Sequence, residues 1–123
     1  LVTLNLTNNP LRFSPPGQLA YTEAIVDSII DQSNQKPFAL ALLAKQNYDP
    51  PYRYFFYEKN ARLVDLDHSM PDQLFVICEP HPDIDCNPIN NSEWKVAAFG
   101  WAKIDKTWQI NHIQIYQLSH LLD

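Results

Sequence analysis

Apolar residues along the chain fall into three kinds of pattern. Over residues 18–33, Leu19, Ile25, Val26, Ile29 and Ile30 share one half of a helical wheel, Glu23, Asp27 and Asp31 form the wet face, and Tyr21 lies on the boundary. That spacing predicts a helix, entered through the rigid turn Ser14-Pro15-Pro16-Gly17 and stopped by Asn34-Gln35-Lys36-Pro37. Residues 38–44 and 74–78 show no alternation at all. Short, wholly apolar runs bounded by turn residues predict strands covered on both faces, as in a parallel sheet. Residues 3–7 alternate strictly and residues 113–118 largely so, which predicts two further strands.

Between these runs the chain supplies helix and turn signals. Asp49 can cap a helix whose first residue is Pro50, and the pattern carries it to Asn60. Residues 61–66 fit a short extended piece, and residues 67–72 a loop. Three prolines and three asparagines make residues 79–91 an irregular loop. Ser92 is placed to cap a short helix through Phe99, with Glu93 in its first turn and Gly100 after its end. Residues 101–104 and 108–110 then flank Asp105-Lys106-Thr107, which reads as a hairpin turn. The alternation of strands and helices predicts an α/β fold: a mixed or mostly parallel sheet with helices on its faces, a small single-domain sandwich spanning residues 1–123.

Composition narrows the function. At 123 residues, 46% hydrophobic and 19% charged, the chain can bury a core of its own. Nine basic against fourteen acidic residues give a net charge of −5, the wrong sign for a binder of phosphate backbones, so no nucleic-acid partner is expected. The two glycines, Gly17 and Gly100, cannot write a glycine-rich phosphate loop, and no cofactor is expected. The longest apolar run is seven residues, whereas a membrane-spanning helix needs about 20. No leader pattern opens the sequence, and a start at Leu1 reads as a mature or excised piece of a longer chain.

Several residues could carry chemistry. Asp67-His68-Ser69 has the residue types of a hydrolytic triad, but neighbours on one loop cannot adopt the relay geometry, so a polar turn is the better reading. Glu79, His81, Asp83 and Asp85 form an acidic loop that lacks the glycine and distal glutamate of a calcium loop. A solvated loop is favoured over a metal site, and a small hydrolase using this loop is the alternative function. Cys78 and Cys86 leave three states open: a disulfide, two reduced thiols, or zinc with His81. His112 and His120 read as structural or solvent-facing. Arg53 and Arg62 are candidate phosphate partners, with solvation the plainer account.

The aromatic excess is the strongest signal. Tyr52, Tyr54, Phe55, Phe56 and Tyr57 crowd one helix, and at about 100° per residue they cannot all enter one core. Trp94, Trp101 and Trp108 cluster later. Tyr52, Arg53, Tyr54, Tyr57, Trp94 and Trp101 are therefore the candidate ligand-binding residues, as a sugar or headgroup platform. Core packing or a contact to another domain competes with that role, and a surface interaction module without a small ligand is a third function.

Five segments together resemble a known family: Asn47-Tyr48-Asp49 with Tyr52-Arg53-Tyr54-Phe55-Phe56, Gln73-Leu74-Phe75-Val76-Ile77-Cys78-Glu79-Pro80, Cys86-Asn87-Pro88-Ile89-Asn90-Asn91, Ala97-Ala98-Phe99-Gly100-Trp101-Ala102-Lys103-Ile104, and Ile115-Tyr116-Gln117-Leu118. As a set, across residues 20–120, they are similar to the C-terminal soluble segment of bacterial polytopic glycosyltransferases of the dolichyl-phosphate-mannose protein mannosyltransferase and aminoarabinose transferase group. The resemblance implies a parent chain with many membrane helices that uses a polyprenyl-phosphate-linked sugar, and places this segment on the extracytoplasmic face of a bacterial membrane. Its partners would be the membrane-embedded remainder of the same chain and a glycan or lipid-linked sugar. An oxidising compartment would favour the Cys78–Cys86 disulfide. The family's catalytic acidic residues lie near its N-terminus, in a region not matched here, so no catalytic residue and no metal ligand carries over and the segment alone should not transfer sugar.

Overall fold

The computed structural model describes residues 16–44, 50–79, 82, 86–89 and 93–121. The strand expected over residues 3–7, the capping residues Asp49 and Ser92, and His81, Asp83 and Asp85 lie outside the described residues. Within them the order is α1 (Pro16–Ser33), β1 (Ala39–Leu43), α2 (Pro50–Glu58), β2 (Gln73–Cys78), α3 (Trp94–Phe99), β3 (Ala102–Ile110) and β4 (Ile113–His120).

The four strands form one mixed sheet in the order β1-β2-β4-β3. β1 and β2 are parallel, with Leu40 opposite Phe75 and Leu42 opposite Ile77. β4 runs antiparallel to both β2 and β3. The two unbroken apolar runs are thus neighbours, and every residue in both strands is buried. Alternate side chains serve two different cores. Phe38, Leu40, Leu42, Phe75, Ile77 and Ile115 meet α1 and α2 through Ile25, Val26, Ile29, Tyr52 and Phe56. Ala39, Ala41, Leu43, Leu74, Val76 and Leu118 meet α3 through Val96 and Phe99. Ala39 and Ala41 on the β1 face toward α3, against Leu40 and Leu42 toward α1, suit a sheet with a thin cover on one face and a thick cover on the other.

Helix ends follow local chemistry. α2 stops at Asn60, whose φ of 56° is the left-handed conformation that asparagine tolerates. The Ala61 and Asn60 N–H groups then close back on the Phe56 and Tyr57 carbonyls. Residues 61–66 are extended as expected at one point: Phe38 and Leu63 form a parallel bridge on the outer edge of β1, with the Phe38 N–H donating to Arg62 O and the Val64 N–H to Phe38 O. That segment shields the start of the β1 edge.

Two expectations are corrected. Glu93, expected inside the first turn of the short helix over Trp94–Phe99, is its capping residue: the Glu93 carboxylate accepts from the N–H groups of Lys95 (2.9 Å) and Val96. Asp105-Lys106-Thr107 is not a hairpin turn. Residues 102–110 form one strand, with a bulge between Ile104 and Lys106, and the turn is Asn111-His112 with φ values of 46° and 71°. Two successive left-handed residues are what a tight hairpin turn needs to match strand twist.

Candidate functional site

The sequence-derived candidates separate onto opposite faces of the sheet. Tyr52, Arg53, Tyr54 and Tyr57 belong to α2, on the thick side; Trp94 opens α3 and Trp101 follows it, on the thin side. The structure does not join the six into one platform.

On α2 the four residues do different things. Tyr52 is buried and its hydroxyl donates to Glu79 Oε2 at 3.0 Å, so its ring offers no face to a ligand. Burial, then the neighbouring Glu79 charge and the hydrogen bond to it, push the Tyr52 phenol well above its usual range. Arg53 reaches Asp65 at 3.2 Å across a solvent-exposed pair. Tyr54 stands half out of the surface, edge-on to Phe55, and Tyr57 is 83% exposed.

The Tyr52–Glu79 bond sits where the parallel strands end. The Glu79 N–H donates to Leu43 O, continuing the β1–β2 ladder by one step. Cys78, the last residue of β2, lies at disulfide-bonding distance from Cys86, with Cα atoms 5.7 Å apart. The pairing brings residues 86–89 against the thin face, where Cys86 and Ile89 pack on the core of Leu74, Val76 and Leu118.

Pro88 and Ile89 then form one wall of a cleft of about 280 Å³, completed by Val96, Ala97, Gly100, Trp101, Ala102 and Leu118. Gly100, at φ 92°, ends α3 and reverses the chain so that Trp101 emerges at the cleft rim, 82% exposed. Phe99 turns inward and stacks at 4.0 Å on His120, whose Nε2 lies 3.0 Å from Pro71 O. His120 is thus structural, tying the end of β4 to α3. The side chain of Trp94 lies outside the described residues.

A second concavity lies on the other side of the sheet, between α1 and edge strand β3. Ser28, Asp31, Gln32, Lys106, Thr107 and Trp108 line it, with a volume of about 370 Å³. The Trp108 indole N–H donates to Ser28 Oγ at 3.0 Å, and the Lys106 ammonium donates to Gln32 Oε1 at 2.8 Å. Sequence reasoning missed these residues because it broke β3 at Lys106. Read as one strand with a bulge, Lys106, Trp108 and Ile110 share the face toward α1.

Among the described residues, no three His, Cys, Asp or Glu side chains gather to hold a metal ion, and no helix is long and apolar enough to cross a membrane. Comparison with protein-family models, with curated proteins and with solved structures finds no match for the chain.

Proposed function

We propose that this chain is an extracytoplasmic accessory domain of a polyprenyl-phosphate-sugar-dependent membrane glycosyltransferase, one that packs on the membrane-embedded remainder of its own chain and does not transfer sugar by itself. The observation that carries the reading is Trp101, 82% exposed at the rim of an apolar cleft on the face that the six-residue α3 and residues 86–89 cover. An indole exposed beside apolar walls gains most by burial against a partner. The five segments that resemble the transferase group support the same reading, as does a cysteine pair at disulfide distance, a feature of oxidising compartments.

Cross-linking tests it. With Trp101→Cys in the whole gene product, a photoactivatable group on residue 101 is expected to label a membrane-embedded peptide of the same chain. Labelling of other proteins alone, or of nothing, removes the docking role. A gene without apolar segments of about 20 residues removes the whole reading. Glycan or acceptor binding is the second role, favoured by the exposed rings of Tyr54 and Tyr57 on α2.

A further inference from the structure

The groove between α1 and β3 has the chemistry of a small polar-ligand site rather than of a packing defect. Its volume of about 370 Å³ lies in the range of small-molecule sites. Its aromatic floor is held from two directions. Phe75 meets the Trp108 ring edge-on, with centroids 6.3 Å apart, and Ser28 fixes the indole N–H. Ser28 is itself oriented, since its hydroxyl donates to Ile25 O at 2.7 Å. The ring therefore cannot turn away when a ligand arrives, and little ordering is left to be done on binding.

Around that floor stand groups of complementary hydrogen-bonding sense. Asp31 brings a carboxylate, an acceptor only; Lys106 brings an ammonium with three donors, one of them engaged by Gln32; Gln32 adds an amide. Asp31 and Gln32 come from the last turns of α1 and Lys106 from β3, so polar groups stand on both walls, with the Lys106–Gln32 bond spanning them. One positive and one negative charge leave the groove near neutral, which disfavours a phosphate or another polyanion. A ligand with an apolar C–H face for the indole and several hydroxyls for the walls fits this set: a neutral saccharide ring.

We infer that the α1–β3 groove, with Trp108 as its floor and Asp31, Gln32 and Lys106 as its hydrogen-bonding walls, is the saccharide-binding site of this domain. The inference deepens the glycan-binding role and rests on it. It places that role at a site distinct from both the Trp101 cleft and the exposed α2 tyrosines.

The test is a titration of the isotope-labelled 123-residue chain with D-glucose, D-mannose and D-galactose up to tens of millimolar, read by amide and indole NMR shifts. At least one sugar is expected to shift the amides of residues 28–32 and 106–108 and the Trp108 indole N–H together. Asp31→Ala and Lys106→Ala, both at exposed positions and without a packing role, should each weaken that binding about tenfold. Shifts centred on Trp101, Tyr54 or Tyr57 would overturn the groove and leave glycan binding standing. No shift with any sugar would overturn both. A charged probe, inorganic phosphate, that shifts the groove while sugars do not would overturn the assignment of ligand class.

Discussion

Gln73 and Ser33 stand forty positions apart, and a hydrogen bond of 3.0 Å joins the buried Gln73 amide to the Ser33 carbonyl. The same amide lies within reach of Lys36 O and Pro37 O, while Gln73 Oε1 accepts from Gln117 Nε2 at 3.0 Å. Gln117 also donates to Gln32 O. Two glutamines, one at the start of β2 and one on β4, thus satisfy carbonyls that the end of α1 leaves without helical partners. Gln73→Leu removes the buried donor, so that Ser33 O keeps only the Lys36 N–H and Gln117 Nε2 loses one of its acceptors, at an expected cost of about 1–3 kcal/mol in denaturant-unfolding free energy. Gln117→Leu alone should cost less, and the double variant less than the sum of the two, because the residues share one network.

That network also shows where sequence reading ends. The two buried strands were legible because residues 38–44 and 74–78 are apolar at every position, and few other environments suit such runs. The amphipathic spacing of Ile25, Val26, Ile29 and Ile30 likewise made α1 legible. Gln73 was not, since a polar residue at a strand start gives no sign of which distant helix end it will meet. Asp105-Lys106-Thr107 misled because β3 is an edge strand with most side chains exposed, so its polar residues look like a turn. The real turn, Asn111-His112, carried a weak signal in the tolerance of asparagine for left-handed φ. For the candidate site, helical geometry required exposed tyrosines on α2, and Tyr54 and Tyr57 meet that demand. The separation of α2 and Trp101 onto opposite faces depended on which side α3 packs, which no local pattern encodes.

The cysteine pair gives a second prediction. Closing the short loop between Cys78 and Cys86 restricts the unfolded chain, by about 2.5 kcal/mol on a chain-entropy account. Intact-mass measurement should find the isolated chain lighter by two hydrogens than after reduction. Reduction, or Cys86→Ala, should lower the unfolding free energy by roughly that amount. It should also broaden the NMR signals of Ile89 and Val96, which the pair holds together on the thin face.

Trp101 and Trp108 should behave as opposites. Trp101→Ala removes a ring that is 82% exposed, so stability should stay within about 0.5 kcal/mol of the parent chain. Trp108→Ala removes a ring packed on Phe75 and bonded to Ser28, at an expected cost of about 3–5 kcal/mol. Acrylamide quenching checks the exposure directly: the readily quenched fluorescence should fall in Trp101→Phe and be retained in Trp108→Phe.

Tyr52 predicts an alkaline limit on stability. Its phenol is held protonated in the folded chain by burial first and by Glu79 second, so its pKa is raised above the unfolded value of about 10. A raised folded pKa means that the folded state keeps its proton while the unfolded state loses it. The contribution is therefore complete below pH of about 10 and declines as the pH rises above it. Urea midpoints measured from neutral pH into the alkaline range should fall more steeply for the parent chain than for Tyr52→Phe. At neutral pH that variant should be the less stable of the two, because Glu79 loses its donor.

On the proposed function this domain lies outside the cell membrane and stays attached to it, which protease accessibility decides. In cells expressing the whole gene, with the outer layers permeabilised and the inner membrane intact, an added protease should digest the segment carrying Trp101 while a cytoplasmic marker survives. The undigested remainder should sediment with the membranes. Recovery of these 123 residues in the soluble cytoplasmic fraction, or their protection together with the marker, would contradict the account.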